Sequence, residues 1–115
     1  MKKTIFLDID GCIFKHKGNL STQFEYPELL PGVIKKINEW DAAGHKIIIV
    51  TGRKESMRKI TEEQLLHHKI FFDQLIMGLN RGERILINDA KSDDKTDVAK
   101  CIVLKRNEGM EKIKL

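Results

Sequence analysis

Asp8 and Asp10 stand one residue apart, directly after a short apolar, β-prone run and directly before Gly11. Two or more carboxylates gathered at a strand end can hold a hard divalent cation such as Mg2+, which keeps several waters and takes a phosphate oxygen. The cation offsets the repulsion between a carboxylate nucleophile and a phosphate dianion. One carboxylate can then attack phosphorus and form an acyl-phosphate that water later hydrolyses. A second, two residues away, can protonate the leaving oxygen and afterwards activate that water. Two further polar clusters follow apolar runs: Thr51-Gly52-Arg53 after Ile47-Ile48-Ile49-Val50, and Asn88-Asp89 after Ile85-Leu86-Ile87. A hydroxyl, backbone amides at a helix start and a positive side chain are what a transferring phosphoryl group needs around it. Taken singly, each cluster is ordinary turn or cap chemistry. The three together, each placed straight after an apolar strand, are harder to explain that way.

The elements that must position these residues follow from hydrophobic patterning. A buried strand is predicted over 4–7, with Asp8 at its C-terminal edge. The stretch 13–28 is irregular, and its Lys17-Gly18-Asn19 turn predicts a small hairpin over the strand end. Leu30-Pro31-Gly32 opens a helix whose apolar face is Val33, Ile34, Ile37 and Trp40, and Gly44 ends it. The β-branched run in 46–50 fits a central parallel strand buried on both faces. A second helix spans about 55–67, although Thr61-Glu62-Glu63-Gln64 reads as a capping box that could divide it. Further strands are predicted over 71–77, 84–88 and 101–104. Alternating strands and helices define an α/β domain with a mainly parallel sheet. Ligands bind at the C-terminal edge of such a sheet, so the three clusters should converge there. One link is awkward: about seven residues join the third and fourth strands, where a parallel crossover takes about ten or more. Either the third strand is short and peripheral or the connection is irregular.

In these motifs the chain resembles the haloacid dehalogenase-like superfamily of phosphohydrolases. Asp8-Ile9-Asp10-Gly11 is similar to its first motif, Thr51-Gly52-Arg53 to the second and Asn88-Asp89 to the fourth. The resemblance implies a single Rossmann-like catalytic domain over 1–115, with helices on both faces, a short flap after the first strand and no large cap. It makes Asp8 the nucleophile and Asp10 the general acid/base. Asp8, the Asp10 main-chain carbonyl and Asp89 would hold Mg2+, and the Thr51 hydroxyl and Gly52 amide would bind the phosphoryl group. Arg53 is usual at its position with a role that varies. Asn88 departs from the commoner acidic residue, and Asp93 and Asp94 lie close by in sequence. The third motif, a cation that steadies nucleophile and phosphate, has three candidates in Arg81, Arg84 and Lys91, with Lys91 slightly favoured for its closeness to Asp89. The stretches 77–89 and 106–109 resemble small capless members associated with capsule or lipopolysaccharide sugar biosynthesis, which points to a sugar phosphate as substrate.

Size and charge bound the remaining readings. A chain of 115 residues and 13.3 kDa holds one domain, so specificity must come from loops or a partner. The net charge of +4 favours an anionic substrate. Nucleic acid is disfavoured, because Lys105, Arg106, Lys112 and Lys114 are interrupted by Glu108 and Glu111 and no aromatic residues are interleaved. With no apolar run long enough to span a bilayer and no cleavage-site pattern, a cytoplasmic protein is expected. Cys12 and Cys101 lack metal-type spacing and read as reduced thiols. Adjacent His67 and His68 do not face one way, and His16 reads as a turn residue. No phosphate loop of the Gly-x-x-x-x-Gly-Lys type is present. Two other classes compete with the hydrolase: a phospho-acceptor signalling domain, against which the early Asp-x-Asp-Gly weighs, and a catalytically silent binding or assembly module. An open site of this kind leaves room for a large substrate or a second copy of the chain to cover it.

Overall fold

Apolar runs that alternate in exposure form a parallel sheet of three strands, β1 (Thr4–Asp8), β2 (Lys46–Val50) and β3 (Gln74–Ile76), in that order across the sheet. The computed structural model describes residues 1–18, 26–90 and 98–115. Among these residues two α-helices complete a small α/β domain, α1 (Val33–Ala42) between β1 and β2, and α2 (Arg58–His67) between β2 and β3. In the register, Asp8 lies opposite Val50 and Val50 opposite Ile76, so the three strands end level.

The core is a single cluster in which Leu7, Ile47, Ile49 and Leu75 from one face of the sheet join Val33, Ile37 and Trp40 of α1 and Leu65 of α2. Each such side chain contributes about 1.5–3 kcal/mol when fully buried. The predicted burial of β2 on both faces is corrected: Ile47 and Ile49 are buried, while Ile48 and Val50 are only half-buried. Their face also carries the exposed Phe6 and Ile76.

Helix α1 ends as the sequence predicts. Gly44 takes a positive φ of 82°, its N–H donates to the Asp41 carbonyl, and the His45 N–H donates to the Trp40 carbonyl, which is a Schellman stop. At the other end Gly32 has a φ of 79° and lies so close to Glu111 that a side chain there would collide with the Glu111 backbone. The C-terminal segment therefore docks onto the start of α1, with Met110 N–H donating to the Pro31 carbonyl and Lys36 Nζ to the Ile113 carbonyl. Helix α2 is not divided at 61–64. A short 3-10 turn over Glu55–Met57 leads into one continuous helix, and Thr61 and Gln64 are buried instead of capping it.

The ends of the predicted flap, 13–15 and 28–30, lie side by side. Lys15 N–H donates to the Glu28 carbonyl and Leu30 N–H to the Ile13 carbonyl, while its turn at Asn19 lies outside the described residues. The predicted third strand over 71–77 is shorter, because Asp73 exchanges backbone and carboxylate hydrogen bonds with Ile47 at its start. Strands over 84–88 and 101–104 are not formed. Ile85, Leu86 and Ile87 are 77%, 63% and 91% exposed, and Val103 is 87% exposed. The short link after β3 holds no crossover helix to return the chain across the sheet, so 84–88 runs unpaired. No helix among the described residues is long and apolar enough to cross a membrane.

Burial of this kind sets an unequal mutational cost. Ile49→Ala should destabilise by about 2–5 kcal/mol, whereas Ile87→Ser should stay within about 0.5 kcal/mol, as read from urea denaturation midpoints. A loss at Ile87 as large as that at Ile49 would place 85–87 in the core in solution.

Candidate active site

Asp8 closes β1 and is half-buried at the level strand ends, where its own Oδ1 accepts the Ile9 N–H at 2.9 Å. The chain then turns tightly. The Ile9 carbonyl accepts N–H groups from Cys12, Ile13 and Phe14, and Gly11 N–H donates to the Phe14 carbonyl at 2.7 Å. Gly11 has a φ of 87° and Arg106 Cγ lies 3.2 Å from where its Cβ would be, so the position after Asp10 accepts little else. The Gly11 carbonyl accepts the Asn107 N–H at 3.0 Å, and Asn107 clasps the His16 backbone with its side-chain amide, Oδ1 accepting at 2.7 Å and Nδ2 donating at 3.2 Å. The C-terminal turn thus braces the loop that carries Asp10.

The second cluster follows β2 at the same edge. Thr51 N–H donates to the Ile76 carbonyl, and Gly78 and Leu79 donate to the Arg53 and Thr51 carbonyls, so this loop runs beside the chain leaving β3. Thr51 is buried and its Oγ1 accepts the Arg53 N–H at 3.1 Å; Gly52 beside it is exposed. Arg53 turns inward. Its Nε and Nη2 donate to the two carboxylate oxygens of Asp10 at 2.9 and 2.7 Å, and its Nη1 donates to Thr61 Oγ1 at 3.1 Å and Gln64 Oε1 at 2.6 Å. A guanidinium fork matches a carboxylate in this bidentate geometry. Thr61 and Gln64 had only a helix-cap reading in the sequence. Their i, i+3 spacing puts both on one face of α2, which was the available signal.

Of the two candidate cations among the described residues, Arg84 lies beside Asp8, with Nη1 3.6 Å from Oδ1. Arg81 is exposed, and Lys91, Asp93 and Asp94 lie outside the described residues. Burial raises the Asp8 carboxyl above its ordinary value, opposed mainly by the Arg84 charge and the Ile9 hydrogen bond, with the Asp10 charge adding a further upward push. Asp89 and Asn88 lie exposed on the unpaired 84–88 segment and its continuation. The described residues contain no group of three or more acidic, histidine or cysteine side chains spaced to hold a metal. The oxygen expected from Asp10 is its main-chain carbonyl, and Asp89, the other expected ligand beside Asp8, stands exposed on the unpaired segment, so the described residues as placed do not gather the oxygen set that Mg2+ takes.

His67 and His68 pack against the segment ahead of α1. Tyr26 stacks on His67 with ring centroids 3.9 Å apart, and His68 Nε2 lies 2.9 Å from the Pro27 carbonyl. Comparisons with protein-family models, with curated proteins and with solved structures return no match for this chain.

Two outcomes follow from this geometry. The Arg53 and Asp10 side chains are 5% and 23% exposed. Removing one partner strands the other, so Arg53→Ala should cost on the order of 3–5 kcal/mol in denaturant unfolding. Burial, with the Asp8 charge second, pushes the Cys12 thiol up to about 11. Because the thiolate is the nucleophile, iodoacetamide at about pH 8 should label the exposed Cys101 and spare Cys12. Cys12 labelling, followed by peptide mass spectrometry, should climb only as the pH approaches that raised value.

Proposed function

We propose that this chain is a haloacid dehalogenase-like phosphatase, a single Rossmann-like domain working in the cytoplasm on a small phosphate monoester such as a sugar phosphate. The observation that carries the reading is the half-exposed Asp8 at the C-terminal end of β1, with Arg84 beside it and Asp10 held two residues on by Arg53. In this reading an Asp8 carboxylate oxygen attacks phosphorus as the ester oxygen leaves, forming an aspartyl-phosphate. Asp10, protonated in the lone-pair direction that Arg53 leaves free, gives that proton to the departing oxygen and is left as the carboxylate. It then takes one from the water that attacks phosphorus, releasing inorganic phosphate and restoring Asp8. Arg84 balances charge on the transferring group, and the exposed Gly52 at the adjacent strand end supports an anion-binding role beside the buried Thr51.

Mg2+ is the cofactor that the motif resemblance implies, and the ligand set is incomplete while Asp89 stays on its exposed segment. The exposed position of Asp89 favours one competing reading, a silent binding or assembly module. A screen of sugar phosphates, nucleotides, phosphorylated amino acids and phosphorylated oligonucleotides, run with Mg2+ and with EDTA, separates the two.

Phosphate release is expected on at least one substrate with Mg2+, and its complete absence would leave the silent module. Asp8→Asn should abolish release while circular dichroism stays unchanged. Arg84→Met should raise KM about tenfold, the effect of losing about 1.5 kcal/mol of charge-assisted contact.

A further inference from the structure

Arg53 follows a threonine and a glycine at a strand end, a position from which a cation is expected to reach a bound phosphate. Its side chain goes elsewhere. Four hydrogen bonds commit the guanidinium, two to Asp10 and two to α2, and the side chain is only 5% exposed. The two bonds to α2 share Nη1 as donor, and their acceptors are on side chains that are themselves buried, Thr61 at 0% and Gln64 at 1% exposure. A guanidinium is planar and rigid, so fixing the Nη1 corner fixes where the Nε–Nη2 edge points. That edge grips both oxygens of Asp10.

We infer that Thr61 and Gln64 are positioning residues for the reaction: by holding Nη1 of Arg53 from α2, they aim its opposite edge at Asp10 and fix that carboxylate for proton transfer to the leaving group. The inference rests on the phosphatase reading above. Arg53 then serves Asp10 and not the phosphate. Each Asp10 oxygen has a second lone-pair direction free of Arg53, and the side chain is 23% exposed, so one oxygen can carry the proton that passes to the ester oxygen while the group is held. Gln64 and Thr61 bind no substrate in this scheme. Orientation is their contribution, and small misplacements of a reacting group are known to be costly.

The test uses Gln64→Leu and Thr61→Val, with Gln64→Glu as the conservative variant that keeps an acceptor for Nη1. Thermal unfolding is used to confirm that each is folded. In wild-type protein labelled with 15N, the Arg53 Nε–H signal should be resolved and slow to exchange; it should exchange faster in Gln64→Leu and be retained in Gln64→Glu. Unchanged exchange in both Gln64→Leu and Thr61→Val would overturn the aiming role, whether or not the chain proves to be a phosphatase. For turnover, kcat/KM on an alkyl phosphate should fall about tenfold or more in Gln64→Leu and recover in Gln64→Glu. The fall on 4-nitrophenyl phosphate, whose leaving group needs no proton, should be much smaller. Inhibition by inorganic phosphate should be unchanged. Equal losses on both substrates with weakened phosphate inhibition would make Arg53 a phosphate ligand and overturn the inference alone. Absence of wild-type turnover on every substrate would overturn the phosphatase reading and with it the catalytic part of the inference.

Discussion

The parallel register of β1 on β2 is the constraint on which the site depends. Pairing Asp8 with Val50 brings the residues that follow the two strands, Asp10 on one side and Thr51 to Arg53 on the other, to a common edge. A slip of one residue would turn Leu7 out of the core and Phe6 into it, because strand side chains alternate between faces. The buried face of Leu7, Ile47, Ile49 and Leu75 resists that slip. The register is thus set by hydrophobic burial at mid-strand and used by polar residues beyond the strand end.

Arg53 converts that proximity into a fixed arrangement. It links the loop after β1, the loop after β2 and α2 through one buried side chain. A buried ion pair is weak evidence for net stability, because desolvation offsets most of its attraction. Its value here is geometric. With two acceptors on Asp10 and two on α2 satisfied together, alternative packings of α2 leave buried polar groups without partners. No buried side-chain nitrogen or oxygen among the described residues lacks one.

The C-terminal residues act as a second brace. Asn107, in a left-handed conformation with φ of 66°, ties Gly11 to the His16 backbone, and Gly109 and Met110 press on Pro31 just ahead of α1. Glycine is required at Gly32 and Gly109 by both positive φ and close approach, since a Cβ on Gly109 would collide with the Pro31 carbonyl oxygen. The loop bearing the acidic pair is therefore supported from a segment nearly a hundred residues away in sequence.

Much of the scaffold was legible in the residues themselves. The β-branched run at 47–50, the apolar stripe of α1 and the Gly44 stop each encode a local preference that packing reinforced. The acidic pair at the end of β1 and the polar cluster at the end of β2 were legible for the same reason, since strand ends are marked by abrupt changes in polarity. The 84–88 run was not, because an apolar stretch shows a preference for pairing but not whether the chain can reach a partner edge. Tertiary structure alone decided that Arg53 faces Asp10, that Thr61 and Gln64 serve it instead of capping a helix, and that Arg84 stands beside Asp8. Those choices depend on where three separate segments meet, and a long, charged side chain with many rotamers carries no record of its partner in its own sequence neighbourhood.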